Sequence, residues 1–496
     1  MSDQQDRRKY LQYAGAAVVG LIIGGIGVYS AAPRTVEKTV EKVVEKTVTK
    51  TVTAAAPAAS SDAWKDWDGW KQFKGDTLRV ATIPSAWHGP DNPGSWGYRA
   101  NREFTELTGI DLQMEHIGFA ELNDRIRVDM VAESGYFDVF SVWHNWFIAL
   151  DVANGGLESL TPYINDKSLT NPTYNYADFW PASVDNYTVD GQLYHLPHTL
   201  EFEHLWYRKD LYDKHGLSAP TSIEQLESNV QTLMKDPDAP EYGYVNNTDA
   251  GSGSVHLAWY EIAMKYGFDF FDWDYATKPQ PWTKDDLQPV VNSPGAVRAL
   301  EWDKHMLQEY APPGWENYDW ALSYLSMQEE NTSHIALGNW AGATVVAGNP
   351  DLAGKIGAVA FPDVETTGGV VQGWTNFMNA HSEAKGPAWL FLQWSTQKEL
   401  LNDIMAYFGF LSARQSYYPS PWMDDFDGLF NAYEASIAQG ISAIPPNKLF
   451  PESSEMEDNL MREVQNGLIG AKEPQQALDD AADVMRNLME SAGHYD

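Results

Sequence analysis

Cysteine is absent from all 496 residues. Disulfides, thiolate zinc sites, cysteine nucleophiles and a lipid-accepting cysteine are therefore excluded together. Basic residues are scarce, 34 Lys and Arg against 69 Asp and Glu, and the formal net charge is −35. A field of that sign repels nucleic acid and anionic membrane surfaces, so nucleic acid is not a partner. The surplus reads as a solvated acidic shell suited to high salt or an acidic exterior, in preference to charge aimed at a cationic ligand. Catalytic signatures are missing too: no Walker-A loop, no His-Glu-x-x-His, no Gly-x-Ser-x-Gly and no dinucleotide-binding glycine pattern. The sequence calls for no cofactor, no metal and no catalytic residue, and among 69 acidic residues carboxylate pairs carry no information by themselves.

What is present is aromatic: 20 Trp, 25 Tyr and 19 Phe. Most belong in cores, while those in clefts are platforms for stacking sugar rings or cations. Long apolar runs are confined to the N-terminus. Residues 6–12 read DRRKYLQ, and an apolar Gly- and Ala-rich run over 14–32 follows. Paired Arg7 and Arg8 before Tyr10 and Leu11 resemble a twin-arginine export signal, a route that carries folded proteins. No clean Ala-x-Ala cleavage site follows, and roughly 18 apolar residues can just span a bilayer, so residues 1–33 are read as a signal or an uncleaved anchor. Residues 34–62 repeat as TVEK-TVEK-VVEK-TVTK before AAAPAASS. Val36, Val40, Val44, Val48 and Val52 form one drifting stripe, and the segment reads as a stalk in preference to a specific coiled coil. The expected location is extracellular, tethered to the outer face of the cytoplasmic membrane.

Beyond the stalk the composition is globular. Residues 77–83, 110–116 and 137–142 are strand candidates, and 97–108 and 121–132 are amphipathic helices between them. This alternation defines an α/β fold with parallel sheets and sites at strand C-termini. Trp87 and His88 follow the first strand. Trp143, His144 and Asn145 follow the third, where hydrogen-bonding groups beside an aromatic suit a sugar's hydroxyls and apolar face. Asp138 reads as a structural strand-end carboxylate. His256 and Trp259 follow a Gly-Ser-rich loop, with ligand contact and core packing equally open, whereas Trp389 and Trp394 have helical spacing and read as core. Asn186, Asn246 and Asn331 open Asn-x-Ser/Thr sequons.

The order of several segments resembles the family 1 extracellular solute-binding proteins, the maltose-binding-like group. They are ELNDRIRVDMVAESGYFDVFSVWHNW (121–146), GQLYHLPHTLEFEHLWYRKDLYDKHGLSAPTSIEQL (191–226), HIALGNWAGATVV (334–346), GAVAFPDVETTGGVVQGWTNFMNAHSEAKGPAWLFLQWSTQKE (357–399), GFLSARQSYY (409–418) and PQQALDDAADVM (474–485). The resemblance implies a two-lobed periplasmic-binding-protein-like fold (type II): lobe 1 over 75–198 with 378–408, lobe 2 over 199–371 with 415–490. Three hinge crossings are expected near 196–202, 372–377 and 408–414, and closure about them buries a ligand. It places Glu201, six residues before Tyr207, where family members often present a carboxylate to the ligand, and puts Trp340 and Trp374 near the cleft. Glu203 would face the same way as Glu201, and His204 the other way.

The implied function is that of a monomeric receptor without enzyme activity, delivering a small solute, a sugar or oligosaccharide above all, to ABC permease subunits. Polyols, glycosylated compounds, peptides and polyamine-like cations use similar side chains, while the lack of an Arg or Lys cluster argues against phosphate-rich ligands. A secreted glycoside hydrolase or lyase with two acidic side chains is the rival from another class. A surface adhesion protein would fit the stalk and acidity but not the hinge-like segments. The chain departs from the family in lacking the lipid-accepting cysteine and in its segments at 89–99 and 266–275.

Overall fold

The computed structural model of the protein describes residues 62–85, 87–143, 148–250, 255–273, 282–366, 368–408, 410–416, 426, 428–438, 441–442 and 449–495. The signal and most of the stalk lie outside these residues.

Lobe 1 begins with two 3-10 turns, Asp62–Asp66 and Asp68–Lys71, whose Trp64 and Trp70 are buried. Strands β1 (Thr77–Thr82), β2 (Asp111–His116) and β3 (Val139–Trp143) form its parallel half. Between β1 and β2 a helix runs through Trp96–Arg99, a π-turn over Ala100–Phe104, and Thr105–Thr108. Ser95 caps its start by accepting from the Tyr98 amide, and Gly109 ends it at φ +75. Trp96, Ala100 and Phe104 recur every fourth residue and are fully buried; Trp96 meets Phe391, and Phe104 meets Phe391 and Trp394, of the Lys385–Ser395 helix. A hairpin of β4 (Thr188–Val189) and β5 (Gln192–Leu193) precedes β6 (His195–Pro197).

Lobe 2 holds β7 (Glu203–Arg208), β8 (His334–Gly338) and β9 (Ile356–Ala360) in the order β8-β7-β9. Next come β10 (Gly369–Val370), β11 (Trp374–Met378) and β12 (Ile441–Ser442), and β11 completes the lobe 1 sheet in the order β2-β1-β3-β11-β6. The expectation of parallel sheets holds for β1 to β3 and for the short pair β10 and β12. β11 runs antiparallel to β3 and β6, and β7 runs antiparallel to β8 and β9. The reason is connectivity: β7 and β11 each start at a crossing and run away from it, whereas their neighbours run towards it.

The crossings lie side by side. Glu201 and Gln372 exchange backbone hydrogen bonds of 2.9 and 3.0 Å, the Leu200 amide donates to Leu411 O at 2.9 Å, and the Ala413 amide donates to His198 O at 2.9 Å. The backbone groups of this extended segment are thus satisfied without belonging to either sheet. Arg414, fully buried, ties the third crossing to lobe 1 by donating to Thr396 O and Asn175 O, with its guanidinium 3.7 Å from the Phe179 ring centre. Gly373 sits at φ +151, and a Cβ there would lie 2.3 Å from Thr199 O. Gly373→Ala therefore combines strain with a backbone clash and should lower stability by at least about 2 kcal/mol, read as a lower urea midpoint at unchanged slope. An unshifted midpoint would show that the crossings are not so tightly packed.

Candidate functional site

The loop after β1 doubles back through Ser85, whose hydroxyl bonds His88 Nδ1 at 2.7 Å and accepts from the His88 amide at 3.2 Å. This turns the His88 ring inward, 3.6 Å from Trp87 and 4.3 Å from Trp374 between centroids. His88 is fully buried, and burial first, then His198 and His116, holds its pKa well below the usual histidine value. It is a neutral packing residue beneath Trp374, while Trp87, 3 % exposed, touches Trp96, His198 and Trp374.

Trp143 ends β3 and Trp374 begins β11, and the two are paired in register, which puts both indoles on one face of the lobe 1 sheet. Trp143 Nε1 donates to Glu201 Oε2 at 3.1 Å, and Thr199 Oγ1 donates to Glu201 Oε1 at 2.8 Å. Thr199 also accepts from the Trp374 amide at 2.7 Å. One threonine hydroxyl therefore fixes both the first crossing and the start of β11. Glu201 is only 6 % exposed, and burial pushes its pKa up to about 7 despite the two donors, which pull the other way.

On the lobe 2 side Trp340 stands at the start of the Ala341–Gly348 helix, half-buried, with its indole edge-on to Trp320 at 6.1 Å and Tyr324 at 6.2 Å. Asn339 binds it to the first crossing: its amide donates to Phe202 O and its side chain to Leu200 O, both at 2.9 Å. Trp143, Glu201 and Trp374 are thus brought together directly, and Trp340 joins through Asn339. Trp259 takes the core position that was one of its two open readings. It is 0 % exposed in the Val255–Lys265 helix, against Tyr260 and Phe268, and has no face open to a solute. His144, Asn145 and the side chain of His256 lie outside the described residues. Trp389 and Trp394 are core, and Asp138 is structural, accepting from the Arg79 amide at 2.7 Å and Ser382 Oγ at 2.6 Å.

Residues the sequence reading passed over are Thr199, Asn339 and Trp320. Thr199 carries an available signal, alternation along the crossing with Glu201. Asn339 and Trp320 carry none, since their roles depend on how β8 meets the crossing. Of the sequons, Asn246 is fully buried and donates to Asp303 at 2.8 Å, Asn186 is buried, and Asn331 is exposed. A charged groove of about 290 Å³ lies elsewhere, between Arg127 and Glu455, Asp458 and Arg462, and contains none of the predicted site residues. Among the described residues no group of three or more His, Cys, Asp or Glu is placed to hold a metal ion, and no helix is long and apolar enough to cross a membrane.

The chain is similar in sequence and fold to known proteins. Residues 88–400 fit the family described as bacterial extracellular solute-binding protein, and the chain belongs to that family. Its members are binding proteins. The chain is 24 % identical over 448 residues to the erythritol/L-threitol-binding protein of Mycolicibacterium smegmatis, covering 84 % of this chain and 86 % of that one. It is 25 % identical to the mannitol-binding protein of Pseudomonas aeruginosa, over 65 % of this chain and 69 % of the other. In fold it is similar to maltose-bound MalE3 of T. maritima, with TM-score 0.68 and 17 % identity, across 83 % of this chain and 99 % of that one. It is likewise similar to an ABC transporter solute-binding protein of Agrobacterium radiobacter in complex with ribitol, with TM-score 0.67 and 24 % identity, across 84 % and 100 %.

The raised Glu201 pKa has a consequence for stability. The folded state holds this proton more tightly than the unfolded chain, where the value is near 4.5, so the stabilising contribution is complete below 4.5 and is lost as pH rises to about 7. Glu201→Gln should flatten the fall in melting temperature of the ligand-free protein across that window. An unchanged slope relative to wild type would contradict the assignment.

Proposed function

We propose that this protein is the substrate-binding component of an ABC importer and that it captures a small neutral polyol or sugar at the crossings. The observation that carries the reading is Glu201, a buried carboxylate held between Thr199 and Trp143 with Trp374 beside it and Trp340 across the first crossing. A carboxylate accepts hydroxyl hydrogen bonds and an indole face covers the C–H edge of a polyhydroxylated chain, so the two together suit such a solute. The polyol- and sugar-binding relatives support it. Trp143, Glu201, Trp340 and Trp374 contact the solute in this proposal, and Trp87 and His88 support Trp374 from behind.

The mechanism is capture by closure. The crossings flex, the lobes close on the solute, and the closed form engages permease subunits, the bound state being favoured because only it makes contacts from both lobes. The protein works as a monomer outside the cell, exported by its twin-arginine segment and tethered by residues 1–62, and it leaves its cargo chemically unchanged. Calorimetric titration of the purified protein with erythritol, ribitol, mannitol and maltose should give saturable binding without turnover. Trp340→Ala should weaken it by about tenfold, the order expected for a lost stacking face. Absence of binding across the panel, or cleavage of an oligosaccharide, would contradict the proposal. Replacing Arg7 and Arg8 by lysine should leave the protein in the cytoplasm, as read by cell fractionation, and undiminished export would refute the signal assignment.

A further inference from the structure

Glu203 opens β7 and is paired in register with Gly338, the last residue of β8. Cross-strand partners project from the same face of a sheet. A Cβ on Gly338 would lie 2.4 Å from Trp340 Nε1, so the Trp340 indole occupies that face beside Glu203. Glu201 lies two residues earlier on the extended crossing, on the same side as Glu203. Glu203 is 7 % exposed, and among the described residues no donor reaches its buried Oε2. A buried carboxylate oxygen without a donor is costly to ionise, and a ligand hydroxyl would remove that penalty.

We propose that Glu203 is a specificity-determining residue that, with Glu201, reads a pair of ligand hydroxyls and excludes anionic analogues such as sugar acids. The inference rests on the polyol or sugar reading above and narrows it: two carboxylates on one face of the crossing favour neutral hydroxyl donors and repel a carboxylate or phosphate. The same arrangement links binding to protons. Burial, then Glu261 and Glu201, pushes the Glu203 pKa up to about 8. The groups facing it are Glu201 on the crossing, Glu261 on the Val255–Lys265 helix and Tyr244 under lobe 2; Lys265 stands behind Glu261 at 3.4 Å. A hydroxyl donated to Glu203 stabilises its ionised form over the protonated one, so at pH 7 a bound polyol drives off the Glu203 proton, and affinity rises with pH up to about 8.

The test compares ribitol, mannitol and gluconate as ligands of the full-length protein and of Glu203→Gln, by calorimetry at pH 6, 7 and 9 in buffers of different ionisation enthalpy. Wild type should bind a polyol, reject gluconate and release protons at pH 7. Glu203→Gln should lose about tenfold or more in polyol affinity, narrow the polyol-to-gluconate ratio by at least the same factor, and release about one proton fewer per ligand. An unchanged ratio and unchanged proton release in a variant that still binds the polyol would overturn the role of Glu203 and leave the receptor reading intact. A wild-type protein that binds gluconate as well as the polyol, or releases no proton, overturns the inference without any variant. If wild type binds no neutral polyhydroxy ligand, both readings fall.

Discussion

The hydroxyl of Thr199 donates to Glu201 and accepts from the Trp374 amide, and around that pair three lengths of chain are stitched together. Each is buried, and between the lobes it pairs outside the two main sheets. Its backbone groups must therefore bond to the neighbouring crossings, as Glu201 does to Gln372 and Leu200 to Leu411. A site with a buried carboxylate follows from this constraint, because the crossing is where polar backbone is already concentrated and where loops at strand C-termini from both sheets converge. The rest of the architecture holds this junction: Arg414 anchors the third crossing to lobe 1, and Asn339 anchors the first to lobe 2.

The electrostatics of the junction are unusual for a chain carrying such a surplus of acid. Surface carboxylates are solvated and interact weakly, whereas Glu201 and Glu203 are removed from water without a cationic partner. His88, His198 and His204 lie close by and are held neutral by burial, His198 and His204 near 3. The centre of the molecule therefore carries no histidine charge at neutral pH and is lined by indoles and the two glutamates, a setting for an uncharged solute rich in hydroxyls.

Much of this was legible in the sequence. The period-four burial of Trp96, Ala100 and Phe104, the first three strands, Glu201 on the crossing and the tryptophans after β3 and β8 all follow from local pattern or motif order. The antiparallel strands were not, because β7 and β11 take their direction from a lobe exchange that local periodicity does not encode. The place of Trp259 stayed open for a related reason: nothing local shows that Tyr260 and Phe268 enclose it. The pairing of Glu203 with Gly338, and so its nearness to Trp340, depends on register between strands more than a hundred residues apart and has no local signal.

The most direct measurement is a crystal structure of the protein grown with a saturating neutral polyol. The account predicts ligand density at the crossings, with a hydroxyl within hydrogen-bonding distance of Glu201 and Trp340 against the carbon chain. Density confined to the charged groove beside Arg127, or a ligand that makes no contact with Glu201, would contradict it.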